Sequence, residues 1–202
     1  DKYRAASDWA VESGQAQAGM RMAWGLHTYW WARGHWNEAR ERMQRLLACP
    51  ESAEPTTARA AALILAGNYS FLLSDFEASW AWLKDSQALS RELGAQGRPY
   101  LGWSSVLHGE SLISYDKVLS QRLFEEGIAL LRESGDSWRL GIALSLYGDL
   151  ARTQGNLNLA LGLKKESLVV LRRVGDALGI AVATGGLGSV LYVLGDYPTA
   201  RI

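Results

Sequence analysis

The side chains that could make or break bonds in this chain are few, and their spacing does not bring them together. Its three histidines, His27, His35 and His108, are scattered. Neither they nor Cys49 stand at metal-ligand spacing from one another, so no metal and no catalytic residues are expected. Gly186-Leu187-Gly188 is a fragment of a dinucleotide fingerprint, but it lies in a helical stretch with no strand before it. No glycine-rich loop ending in a phosphate-binding lysine occurs, and no cofactor is expected. The remaining chemistry is that of recognition: Asn68, Asp149 and Arg152 sit among aromatic side chains on helical segments. Two readings of Asp149 and Arg152 stay open, an ordinary intrahelical pair at three-residue spacing or a polar contribution to a binding face.

Charge narrows the partners. Lys plus Arg and Asp plus Glu both number 21, giving no net charge. A sequence-independent grip on nucleic acid or an anionic membrane needs a basic surplus, so neither is an expected partner. The densest basic run, Arg33, Arg40, Arg42 and Arg45, alternates with Glu38 and Glu41 and reads as a solvated helix face. A single cysteine permits no internal disulfide and suits a reducing compartment. The opening Asp1-Lys2-Tyr3-Arg4 is not that of a signal peptide, and a cytoplasmic location is expected. Residues 177–194 carry no charge. They occupy the same place in the pattern as residues 137–154, which contain Arg139, Asp149 and Arg152, so both read as buried inner helices and neither as a membrane span.

These residues are positioned by a rhythm. Gly34-His35-Trp36, Ser74-Asp75-Phe76, Tyr115-Asp116-Lys117, Gly155-Asn156-Leu157 and Gly195-Asp196-Tyr197 recur at steps of 40, 41, 40 and 40 residues. A small residue follows five positions after the start of each: Ala39, Ser79, Ser120, Ala160 and Ala200. Gly14, Gly94, Gly135 and Gly175 fall midway between marks. A period of this length, punctuated twice, predicts stacked helix pairs. The outer helices are predicted at 2–13, 36–48, 76–93, 117–133 and 157–174, and the inner ones at 17–33, 56–73, 98–114, 138–154 and 178–194.

Asp136 and Asp176, each directly after a glycine, are placed to cap the helices that follow. Pro198 fits the first turn of a last helix. Gly67, Gly148 and Gly188 stand twelve residues before Ser79, Ala160 and Ala200, which predicts close helix approach there; His27 and His108 in the same slot predict looser junctions. Of the nine tryptophans, Trp9, Trp24, Trp30, Trp31 and Trp36 crowd the first 36 residues. Trp9 and Trp36 read as core. Trp30 and Trp31 are about 100° apart on a helix, so one is core and the other faces a groove or an adjoining module.

The glycine, Gly-Asp-Tyr and small-residue pattern of Gly188, Gly195-Asp196-Tyr197 and Ala200 resembles the tetratricopeptide repeat (TPR). The third pair departs from it, with His108, Tyr115 and Lys117 at marked positions. The 40-residue period is longer than the usual 34 and resembles the TPR arrays of bacterial signal-transducing NTPases of the STAND class and related LuxR-type regulators. Residues 3–14, the stretch Tyr29-Trp30-Trp31-Ala32-Arg33-Gly34-His35, and Glu133-Ser134-Gly135-Asp136-Ser137-Trp138 carry that resemblance.

It implies an all-α, right-handed TPR-like α-solenoid of about five antiparallel helix pairs, filling residues 1–202 as one unit. Residues 1–14 would be a partial outer helix, 15–54, 55–94, 95–135 and 136–175 full repeats, and 176–202 a truncated one. Because Asp1 and Ile202 both fall inside repeats, the chain reads as a segment of a longer protein.

In such a superhelix the inner helices line the concave surface. Spacings of four and three then place Trp24, Thr28, Trp31, Asn68, Phe71, Asp149, Arg152, Ser189 and Tyr192 there as ligand- or peptide-binding residues. The implied function is non-enzymatic. The array would be a sensor and scaffold that binds a protein, peptide or small-molecule inducer and packs on NTPase and DNA-binding modules of the same polypeptide. A free-standing peptide-binding adaptor, or an accessory region of a cyclase or protein kinase, is the alternative.

Overall fold

Each of these marks ends one helix and starts the next. The computed structural model describes residues 2–201. Over that span run ten α-helices: α1 Lys2–Glu12, α2 Ala16–Arg33, α3 Trp36–Ala48, α4 Thr57–Leu72, α5 Phe76–Glu92, α6 Arg98–Ser111, α7 Lys117–Ser134, α8 Ser137–Thr153, α9 Leu157–Val174 and α10 Ala177–Val193. No strand occurs among the described residues. The expected boundaries agree within one residue, except that α6 stops at Ser111 because residues 112–115 turn. Pro198 precedes a single 3-10 turn, Thr199–Arg201, where a further helix start was expected. Asp1 and Ile202, the ends on which the truncated-segment expectation rests, lie outside the described residues.

Local chemistry accounts for these punctuation points. Gly135 and Gly175 close α7 and α9 at φ of 72° and 77°, a region open to glycine at little cost. At the second mark the same bend falls on Ser74, at φ 63°. Side chains of Asp75, Asp116, Asp136 and Asn156 then accept from the backbone N–H three residues on, at 3.3, 2.9, 3.1 and 3.2 Å. Asp176 does not cap α10. Its carboxylate turns to the Trp138 indole instead.

Helices pack as antiparallel neighbours in chain order, with the even-numbered ones inside. The small residues after the first four marks, Ala39, Ser79, Ser120 and Ala160, are fully buried. A Cβ placed on Gly67 would stand 3.2 Å from the Ser79 carbonyl oxygen and 2.6 Å from Leu83 Cγ. In the third pair the close approach passes to Gly109, whose carbonyl accepts the Ser120 hydroxyl at 2.7 Å. His108 is buried beside Gln87, 3.3 Å away, so that junction is not loose. A Cβ on Gly148 would first meet the side chain of Lys164, at 3.1–3.2 Å, so this glycine leaves room for that side chain.

One core cluster joins α1 to α4 around Met20, Trp30, Met43 and Tyr69, and a second joins α4 to α10 around Phe124, Leu144 and Leu150. Trp24 packs against both. Of the basic run expected to be a solvated face, Arg33 and Arg45 are exposed, but Arg42 is not. Arg42 is largely buried and ties Glu38 at 3.1 Å to Asp8 at 3.2 Å, while Arg4 grips Glu38 through two hydrogen bonds of 2.7 and 2.9 Å. Held chiefly by Arg4, the Glu38 carboxyl falls to about 2. This network fastens α1 to α3. Trp30 is core as one of its pair had to be, Trp36 is half-buried, and Trp9 is 57% exposed, contrary to its expected core role.

The uncharged α10 buries Gly179, Ala183, Leu187 and Val190 but exposes Leu178, Val182 and Val193. It is therefore buried on one face only. No helix among the described residues is long and apolar enough to cross a membrane.

Candidate functional site: a cavity shared by the five inner helices

All five inner helices meet at one cavity of about 250 Å³. From α2 come His27, Thr28 and Trp31; from α4, Asn68, Tyr69 and Leu72; from α6, Trp103, Leu107 and Glu110. Helix α8 adds Trp138, Ile142 and Leu146, and α10 adds Leu178, Gly179 and Val182, with Asp176 just before it. The lining drifts along the array. It lies in the last turns of α2 and α4, the middle and end of α6, the first half of α8 and the first turns of α10. Each pair in a solenoid is rotated against the one before it, so a fixed helical register does not stay aimed at one point.

That drift decides the fate of the expected binding residues. Thr28, Trp31 and Asn68 line the cavity, and Trp31 is 42% exposed beside it. Trp24 lies beneath, stacked on His27 with centroids 5.4 Å apart and covered by the Arg139 guanidinium at 4.4 Å. Phe71 borders a neighbouring cavity of about 350 Å³ with Phe76, Tyr115, Ser111 and Glu110.

The other four sit away from both cavities. Asp149 pairs with the buried ammonium of Lys164 at 2.8 Å and stands 4.0 Å from Arg152. Ser189 donates to the Gly185 carbonyl of its own helix at 3.1 Å. Tyr192 is exposed, edge-on to Tyr197 at 5.3 Å. A fixed-register reading finds the groove at α2 and α4 and loses it by α8.

The polar groups around the cavity are specific. His27 Nδ1 lies 2.7 Å from the Trp24 carbonyl and donates to it, leaving Nε2 to accept from the Thr28 hydroxyl at 3.3 Å. Burial, with help from Arg139, lowers its pKa and keeps it neutral. The Tyr69 hydroxyl donates to the His27 carbonyl at 3.0 Å. Asp176 Oδ2 accepts the Trp138 indole N–H at 2.9 Å. Trp138 in turn touches His27 and Trp103, with centroids 5.7 and 6.3 Å away. Glu110 is half-buried, borders both cavities, and its carboxylate has neither a hydrogen bond nor an ion pair among the described residues. Burial first, and Asp149 second, push its pKa up to about 7. Sequence reasoning missed Glu110, Trp103, Trp138 and Asp176. Of these, Trp138 entered the sequence pattern only as the end of the stretch Glu133-Ser134-Gly135-Asp136-Ser137-Trp138.

No family model matches this chain, and no curated relative does either. Its shape does have solved counterparts. BtubC (BKLC) from P. vanneervenii superposes with a TM-score of 0.74 at 11% identity, over 98% of this chain and 85% of that one. A putative kinesin light chain from Podosopora anserina, described by its nearly identical TPR-like repeats, gives 0.66 at 12%, over 92% and 91%. The chain folds as a TPR-like solenoid. The TPR-like array is also similar to a Pyrococcus horikoshii signal transduction ATPase with numerous domains (STAND) that has a tetratricopeptide repeat sensor. There the TM-score is 0.68 at 14% identity, over 96% of this chain but 31% of that one. At such identities the likeness concerns fold.

Proposed function

We propose that this array is the ligand-binding sensor and scaffold region, itself non-enzymatic, of a cytoplasmic signal-transducing ATPase-type transcriptional regulator. An inducer (protein, peptide or small molecule) would sit in the concave cavity, and the NTPase and DNA-binding modules would belong to the same polypeptide. The observation that carries this reading is that one cavity takes side chains from every inner helix. An occupant touches all the repeats at once and therefore responds to how they are stacked. A ligand that prefers one stacking over another shifts the population toward it, and one that fits both equally shifts nothing.

The likeness to the STAND protein with a TPR sensor supports the setting. The cavity carries no Lys or Arg, which disfavours an adaptor that grips carboxylate tails. The test is a metabolite and peptide screen by thermal shift on this chain and on Thr28→Trp, which fills the cavity from an exposed position. A ligand of this site raises the melting temperature of the first and not the second. Stabilisation that survives in Thr28→Trp refutes the site.

A further inference from the structure

We propose that the cavity is a site for an organic cation, an ammonium or guanidinium on an apolar body, with Glu110 as its counter-ion and Trp31, Trp103 and Trp138 around its body. This deepens the reading above and rests on it. Glu110 brings a charge to the cavity that no side chain among the described residues answers. A carboxylate drawn partly out of water with no protein partner is costly. Glu110 has no such partner here.

The groups near it do not supply one. Asp149 on α8 repels it, and the Lys164 ammonium is held by Asp149 and Ser145 at 2.8 and 2.9 Å. Arg139 at the start of α8 is engaged by Asp136 at 2.6 Å and lies over Trp24. His27 is neutral, and Asp176 is bound to Trp138.

Three classes of occupant then separate. An anion would meet Glu110 and Asp176 with no cation in the lining. A neutral apolar molecule would seal Glu110 away from water and force its carboxyl to take up a proton, at a cost that grows with pH. A cation satisfies the carboxylate and gains from indole faces, which attract positive charge most strongly when water is excluded. Because Glu110 borders both cavities, a longer apolar body can continue past it toward Phe71, Phe76 and Tyr115.

The test uses the whole chain with benzyltrimethylammonium, whose charge does not titrate, against its neutral isostere neopentylbenzene. Affinity is read by titration and location by the indole N–H signals in NMR. The cation binds about tenfold or more tighter than the isostere and moves the Trp31, Trp103 and Trp138 signals. Glu110→Gln abolishes the preference while the circular dichroism and melting temperature show an intact fold. A peptide arm, arginine flanked by leucines against the same peptide with citrulline, tells whether the cation is free or borne on a chain; preference for arginine also supports the proposal.

Equal binding of cation and isostere, or a preference that survives Glu110→Gln, overturns the cation site. If both probes bind equally and Thr28→Trp expels both, the ligand-binding reading stands without it. Failure of every probe to bind the folded chain removes the cation site, and the ligand-binding reading falls with it only if the metabolite and peptide screen also gives no stabilisation.

Discussion

Asp176 accepts the indole hydrogen of Trp138 at 2.9 Å and leaves the first turn of its own helix uncapped. Asp136, in the same Gly-Asp setting one repeat earlier, does cap its helix. The difference ties the start of α10 to the start of α8 along the cavity wall.

That tie is measurable by a double-mutant cycle. Asp176→Ala and Trp138→Phe should each cost about 1–3 kcal/mol, because a hydrogen bond to a charged group in partly buried surroundings is lost. The double variant should cost less than the sum by about 1 kcal/mol or more. Additive losses in urea unfolding would mean that Asp176 acts through its helix start and not through Trp138.

Glu110 should make stability depend on pH. Its folded pKa is raised from 4.5 to about 7, so the folded state holds a proton that the unfolded state releases. The penalty of ionising it is absent below about pH 4.5, grows as pH rises, and is complete above about 7. Glu110→Gln should therefore stabilise the chain at pH 8 by on the order of 2 kcal/mol and not at pH 4. A constant offset between the two unfolding curves across that range would contradict this.

Asp149 is the counter-ion of a buried ammonium, which changes what its removal does. Asp149→Ala strands Lys164 with Ser145 alone and should cost about 2–4 kcal/mol by denaturant melts. Pairing Asp149→Ala with Lys164→Met should restore most of that, since the methionine fills the channel beside Gly148 and Gly186 without a charge. Had Asp149 been a solvated groove residue, the single change would leave the melting temperature unmoved.

The glycines within helices divide into two kinds. Gly25 faces open space, and Gly25→Ala should stabilise by about 0.5–1 kcal/mol. Gly67→Ala would drive a methyl group into Leu83 and should cost about 1–3 kcal/mol instead. The same melts read both, and equal signs would show that α4 and α5 have more slack than their contact implies.

The helices were legible because their punctuation is chemical and local: Gly135 can turn, and Asp116 and Asn156 can cap. The core positions after each mark were legible for the same reason. The cavity was not, because its lining is set by the rotation of each pair against the last, which no single helix encodes. Thr28, Trp31 and Asn68 line the cavity where the register still holds; Trp138 and Glu110 line it where the register has drifted. Lys164 shows the same limit. It reads as a surface lysine beside Lys165, and it is buried only because Gly148 and Gly186 on two other helices leave room for it. Asp136 and Asp176 share a motif and differ in role because Asp176 accepts an indole N–H while Asp136 is held by Arg139.

The Arg139 guanidinium over Trp24 joins the first complete pair to the fourth. An array linked only through adjacent pairs melts from its ends by degrees. This one has a clasp across its coil, reinforced by His27 against Trp138. To unwind the middle, the clasp must open first, so the coil should yield as one body, and any signal that prises Trp24 from Arg139 would be felt along its whole length.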